Sequence, residues 1–196
     1  GVSTAFAGPT ETALELIRAE ARVAMRHPVF VGPDGLRQIC APAPHCLHSR
    51  DAVERLLALY QVACQETAGA VAAADITLAV LPWWLRRGSP FRPALDRALQ
   101  EGRLGPGRVE LVTGDAAAGA AGVFAAAQLL ARGEARRVAV VAADTAIAPA
   151  VLDMNEASGF AHTRQTRHNP FPGEAAVALV LAANHEGAAG LTALIE

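Results

Sequence analysis

Apolar residues recur at helical spacing over 10–25, where Leu14, Ile17, Ala21 and Ala24 share one face and Glu15, Arg18 and Arg22 the other. Pro9 and Thr10 are start signals, and His27-Pro28 ends the run, because the residue before a proline avoids the helical region. From 32 to 48 the pattern breaks into a loop marked by Pro33, Gly35, Pro42 and Pro44, with room for a short strand over 36–40. A second helix is predicted over 51–68, with Val53, Leu56, Leu57, Tyr60 and Cys64 turned inward. Continuous apolar runs predict buried strands over 75–81, closed by Pro82-Trp83-Trp84, and over 137–143. Between them fall a short helix over 93–100 and a strand over 108–113, entered through Gly105-Pro106-Gly107. A helix over 148–158, a polar loop over 162–169 and strands over 173–183 and 191–195 complete the pattern.

One element stands apart. From 116 to 131 the only polar side chain is Gln128, so the periodicity disappears and every face is small and apolar. A helix of that kind is buried on all sides. Strands alternating with helices imply an α/β architecture with a mostly parallel sheet, and the chain reads as one domain over 1–196. A helix covering a single sheet keeps one face in water, and this one has no face suited to water. The second layer is therefore expected from elsewhere, either another half of the polypeptide or another subunit.

Composition narrows the functional classes. Hydrophobic residues make up 52% of the chain, enough for a real core, which excludes global disorder. The 17 basic residues are all arginine and stand against 19 acidic ones, for a net charge of −2. That balance argues against a nucleic-acid binder or a membrane-surface protein. No apolar run reaches the ~20 residues that span a bilayer. The alanine and arginine bias is also that of a GC-rich bacterial genome. Three cysteines, an odd number, do not form a disulfide framework, and a reducing cytoplasm is the expected compartment. Without an initiating Met or a leader at Gly1, the chain is expected to start inside a longer protein or after a removed tag.

The segments Val112-Thr113-Gly114-Asp115-Ala116-Ala117-Ala118-Gly119 and Ala126-Ala127-Gln128-Leu129-Leu130-Ala131-Arg132-Gly133-Glu134 resemble the nucleophile region of β-ketoacyl synthases, in the thiolase superfamily. That region runs from a strand through a short turn into an alanine-rich helix, then R-x-G-E. The following Arg137-Val138-Ala139-Val140-Val141-Ala142-Ala143-Asp144 is similar to the family's next strand with its acidic end. Phe171-Pro172-Gly173-Glu174-Ala175-Ala176 resembles the family's F-x-x-G-E-G-A strand, one residue short, and Gly8-Pro9-Thr10-Glu11 is a fainter echo.

The resemblance implies one half of a thiolase-like fold, a mixed five-stranded sheet with a buried central helix, with the family's first strand ahead of Gly1 and its two histidines, or histidine and asparagine, in a second half. It also implies a nucleophilic cysteine where this chain has Ala116. A helix N-terminus there would lower a thiol pKa and stabilise an oxyanion, but alanine supplies no nucleophile. The implied function is an inactive relative, a scaffold, adaptor or partner subunit in acyl or polyketide metabolism or in another system such as effector secretion. The alternative is an active β-ketoacyl synthase-type acyltransferase seen as a fragment or a Cys-to-Ala variant. No catalytic residue, metal or cofactor is assigned. The pocket expected from the resemblance comprises Asp115, Ala116, Gly119 and Phe171. The partners it implies are the missing half or a second subunit, in a homo- or heterodimer, and an acyl carrier protein.

Other constellations have plainer readings. Cys40, His45, Cys46 and His48 are zinc-type ligands, yet their spacing matches no closed structural site, and a loop with two buried thiols and exposed imidazoles accounts for them. Ser158 with His162, His168 or His185 lacks the sharp strand-to-helix elbow of a nucleophilic serine. Gly114, Gly119 and Gly122 do not have dinucleotide spacing and read as close-approach points of the apolar helix. Trp83-Trp84-Leu85-Arg86-Arg87 is either a plug at the edge of the core or an interface anchor.

Overall fold

A computed structural model describes residues 1–6, 8–19, 24–31, 35–46, 49–115, 117–159 and 171–183. Thirteen elements follow one another: β1 (Val2–Ser3), α1 (Thr10–Arg18), β2 (Met25–Val31), β3 (Arg37–Cys40), α2 (Ala52–Gln65), α3 (Ala68–Ala72), β4 (Ile76–Pro82), α4 (Arg92–Gln100), β5 (Arg108–Gly114), α5 (Ala118–Ala131), β6 (Arg137–Thr145), α6 (Pro149–Ala157) and β7 (Glu174–Ala182). Five strands form one mixed sheet in the order β1-β7-β6-β4-β5. β4 runs parallel to β5 and β6, whereas β7 is antiparallel to both β6 and β1.

Three differences from the sequence reading have local causes. The first strand is not wholly ahead of Gly1: Val2 and Ser3 pair with β7, and the terminal amine donates to Ala178 O at 2.9 Å. The first helix stops at Arg18, and Met25–Val31 is a strand, because a hairpin with β3 gives the β-branched and aromatic run around Pro28 a partner. Pro28 lacks a ladder donor, and the register shifts between Arg26 and Val31, where Phe30 N–H turns instead to His27 Nδ1 at 2.7 Å. The helix expected over 51–68 ends at Gln65, and a short α3 follows. The strand expected over 191–195, the loop over 162–169 and residue Ala116 lie outside the described residues.

Strand alternation sends side chains to two distinct faces. One face carries Ala79, Leu81, Val141, Ala143, Ala176 and Ala178 and is covered by α2 with α4 and α6 beside it. Asp51 starts α2 by accepting from Val53 N–H and Glu54 N–H at 2.9 and 2.8 Å. The opposite face carries Ile76, Leu78, Val80, Val138 and Val140 and is covered by α5.

α5 approaches the sheet closely because Gly122 has no side chain. A Cβ there would stand 2.5 Å from Val80 Cγ2 and 3.3 Å from Val140 Cγ1, whereas at Gly119 it would meet nothing within 4 Å. Of the glycines flagged in the sequence, Gly122 is thus a close-approach point and Gly119 is not. Among the described residues, only the inner face of α5 is covered. Ala118, Gly122 and Ala126 are buried, but Phe124 is 65% exposed, and Val177 and Leu179 of β7 are also exposed. The outer layer that the sequence expects from elsewhere has an open place to sit.

Beneath α2 a buried ion pair joins distant parts of the chain. Arg55 Nε and Nη2 donate to the Glu174 carboxylate at 2.5 and 2.8 Å, and Arg55 Nη1 donates to Cys46 O and Ser49 O. Ala43 N–H and Thr145 Oγ1 also donate to Glu174, at 2.7 and 2.9 Å. Removing one partner leaves the other charge buried, a loss of about 3–5 kcal/mol. Glu174→Ala is therefore expected to cost that much in a denaturant titration, and a paired Arg55→Met, Glu174→Leu variant distinctly less. In α5, Gly119→Ala should raise the melting temperature of the assembly in which the chain purifies, since helix propensity improves by up to ~1 kcal/mol. Gly122→Ala should lower it, since overpacking against stiff valines costs ~1–3 kcal/mol and outweighs the same gain.

Candidate functional site

The parallel strands β4, β5 and β6 end together, with Pro82 in register with Gly114 and Val80 with Ala142. Ligands of open α/β sheets bind outside such carboxyl ends. The β5–α5 turn follows from Gly114, and the first turn of α5 presents unpaired N–H groups toward the same end. Asp115 Oδ1 accepts from Ala117 N–H at 3.0 Å, and Asp115 O accepts from Ala118 N–H at 2.9 Å, so the carboxylate is engaged in starting the helix.

The expected pocket residues are only partly placed. Asp115 is exposed in the turn, and Gly119 is half-buried in the first turn of α5. Phe171, 48% exposed, leads into β7, whose first residue Glu174 pairs with Thr145 at the end of β6. The approach to β7 therefore lies at the same end of the sheet as Asp115. Ala116, on which the sequence argument turns, is outside the described residues.

Two groups at this end were not assigned a site role from sequence. Asp144 lies one residue before the end of β6 and accepts from the Trp84 indole and the Thr145 backbone N–H. Its carboxyl is raised above the ordinary range because surrounding protein removes solvation, and the two hydrogen bonds oppose that rise. Trp84, in the turn after β4, is itself buried. The signals in sequence are an acid closing an apolar strand and a tryptophan just past a strand end. Both appear in the chain, but only the register brings them together.

The remaining candidates separate. Cys40 ends β3, Cys46 is buried in the short turn Pro44–Cys46, and Cys64 is in α2; all three are free thiols. Burial pushes the Cys40 and Cys64 thiols up to about 11 and Cys46 up to about 12. Cys46 donates its S–H to Arg55 O at 3.7 Å. Thiols held protonated in this way are weak nucleophiles and weak metal ligands. His45 is exposed, with its Nε2 3.4 Å from Ser3 Oγ, and His48 lies outside the described residues. Among the described residues no three His, Cys, Asp or Glu side chains gather to hold a metal. Ser158 closes α6 as its C-cap, and its three candidate histidines are outside the described residues. At the opposite end of the sheet, Asp75 accepts from the backbone N–H groups of Arg136 and Arg137, a tie between β4 and β6.

No family model matches the chain, and no curated protein matches it by sequence. Solved structures do share its fold. The ketosynthase from module 6 of the bacillaene synthase from Bacillus subtilis 168, solved as a Cys-to-Ser mutant, aligns with a TM-score of 0.60 at 15% identity over 93% of this chain. The same ketosynthase without that change aligns with a TM-score of 0.54 at 13% identity over 91% of this chain. The chain spans 39% and 38% of those two proteins' own lengths. Germicidin synthase from Streptomyces coelicolor, a type III polyketide synthase, aligns over 69% of this chain and 34% of its own, at 22% identity and a TM-score of 0.44. No helix among the described residues is long and apolar enough to cross a membrane.

Thiol reactivity tests the electrostatic account. With pKa values raised to about 11 and about 12, the thiolate fractions of Cys40 and Cys46 stay very small near neutral pH and grow only in strong alkali. A thiol-specific reagent at pH 7.5 is expected to label these two cysteines at least tenfold more slowly in the native chain than in denaturant.

Proposed function

We propose that this chain, whose fold is one half of a thiolase-like ketosynthase, is a non-catalytic scaffold, adaptor or partner subunit completed by a second half or subunit. The observation that carries this reading is the turn between β5 and α5. It reads Gly114-Asp115-Ala116-Ala117, with no Cys, Ser, Thr or Lys where the family resemblance implies a nucleophile. A condensing enzyme must hold its acyl group covalently, and only a nucleophile can do that. An alanine methyl cannot be acylated. Asp115 is a poor substitute: its carboxylate already accepts from Ala117 N–H, and an acyl carboxylate would be a labile anhydride. The three thiols stand on other elements with raised pKa values.

The uncovered layer supports the second part of the reading. The exposed Phe124, Val177 and Leu179 belong to the face that also carries α5, and the chain spans 39% of the ketosynthase it aligns with best among those above. A second half, or another subunit in a homo- or heterodimer, would bury them. β5 is an edge strand of the sheet, the natural place for strand pairing between subunits. In this reading an acyl carrier protein is a visiting partner rather than a substrate donor, and free thiols suit a reducing cytoplasm.

The experiment is intact-mass spectrometry after incubation with acyl-CoA or an acyl-loaded carrier protein. No stable acyl increment is expected, and a stoichiometric increment would overturn the inactive reading in favour of an acyltransferase. Ala116→Cys in the completed assembly adds the converse test. Acylation of that variant would show a site that lost only its nucleophile. Completion is tested separately by sedimentation of the chain at low concentration, where a compact monomer with a cooperative melt would contradict the need for a covering partner.

A further inference from the structure

Two tryptophans stand side by side after β4, and the fold uses them in opposite ways. Trp84 is 3% exposed and lies edge-on to Phe91, with ring centroids 5.1 Å apart. Its indole donates to Asp144, its carbonyl accepts from Ser89 Oγ, and that hydroxyl accepts in turn from Phe91 N–H at 3.2 Å. The segment from 83 to 91 is thereby pinned from below. Trp83 is 39% exposed instead. The Arg86 guanidinium carbon sits 5.5 Å from the Trp83 ring centroid, within cation–π range. Arg86 and Arg87 are both exposed, and among the described residues neither has a carboxylate within ion-pair distance, unlike Arg92, Arg103 and Arg108.

We propose that Trp83, Arg86 and Arg87 form a docking surface for an acidic, partly apolar face of a protein partner. This needs only the exposed surface and does not depend on whether the chain is catalytic. Tryptophan and arginine are the residues that most often carry interface energy. Here the backbone on either side is held through Trp84 and Ser89, and Arg86 already lies over the Trp83 ring, so less freedom remains to be lost on binding. Two unpaired guanidiniums select carboxylates opposite them, which they can grip through two parallel hydrogen bonds.

Other occupants fit less well. A two-fold contact between copies of this patch would set Arg86 and Arg87 near their own images, like charge against like. A nucleic acid held by Arg86 and Arg87 would have two phosphates neutralised, a salt slope near −1.8, on a chain whose net charge is −2. The patch follows directly from Pro82, which is in register with Gly114. A partner held there would lie beside the β5–α5 turn.

The test uses a synthetic glutamate-rich helical peptide with leucines along one face, titrated into the 196-residue chain in whatever assembly it purifies. Iodide quenching of tryptophan fluorescence reports the exposed Trp83, since the chain has just two tryptophans and the other is buried. Bound peptide is expected to protect the fluorescence, with affinity falling as salt rises. An Arg86→Glu, Arg87→Glu variant, altered only at exposed positions, should lose at least tenfold in affinity with an unchanged melting temperature. Trp83→Ala, which removes the fluorescent reporter and is therefore titrated by calorimetry alongside the unaltered chain, should lose a similar factor. The proposal is overturned by equal binding to the charge-reversed variant, by equal binding of a Glu-to-Gln peptide, or by tighter binding of a single-stranded oligonucleotide of equal charge. Absence of peptide binding up to ~1 mM also overturns it.

Discussion

The buried pair of Arg55 and Glu174 is the constraint on which one whole side of the molecule depends. Arg55 sits at 2% exposure on α2, and Glu174 opens β7, so a helix and a strand far apart in sequence share one charge pair. Every strong acceptor and donor around it is satisfied: Ala43 N–H and Thr145 Oγ1 on the carboxylate, Cys46 O and Ser49 O on the guanidinium. That completeness matters, because desolvation of two charges is recovered only when geometry and further hydrogen bonds are good. The pair fixes where the loop before α2 crosses the β6–β7 end, and so helps set the carboxyl end of the sheet.

The other side of the sheet rests on the absence of a side chain. Gly122 lets α5 sit against Val80 and Val140 at a distance no other residue permits. The helix needs closeness because its alanines have little reach and contribute contact only where backbones approach. Its outer surface, with Phe124 exposed, is in the same state as the neighbouring Val177 and Leu179. One sheet with one finished and one unfinished face is the form of a half fold, and it agrees with a chain spanning 39% of a ketosynthase.

At the carboxyl end these two sides meet. The ingredients that would activate a nucleophile are present as architecture: a strand, a turn and the N-terminus of a helix that is apolar around its surface. The turn's own acid serves the helix start, and the thiols are elsewhere and held protonated by burial.

Much of this was legible in the residues. The apolar runs of β4 and β6, the helical spacing of α2 and the featureless α5 each follow from local pattern, and the lack of a polar face on α5 is what raises the expectation of a second layer. Alanine at 116 needed no coordinates at all. Short-range pattern failed at Met25–Val31, where a hairpin partner outweighed the preceding helical periodicity, and at Val2–Ser3, where two residues give no periodicity to read. It also gave no sign that Arg55, within an apolar helix face, had a partner 119 residues away, or that adjacent tryptophans would divide into one buried and one displayed. Periodicity records which side of an element meets the core. Strand order and register decide which distant charges and rings meet there, and they are set by how the elements pack together.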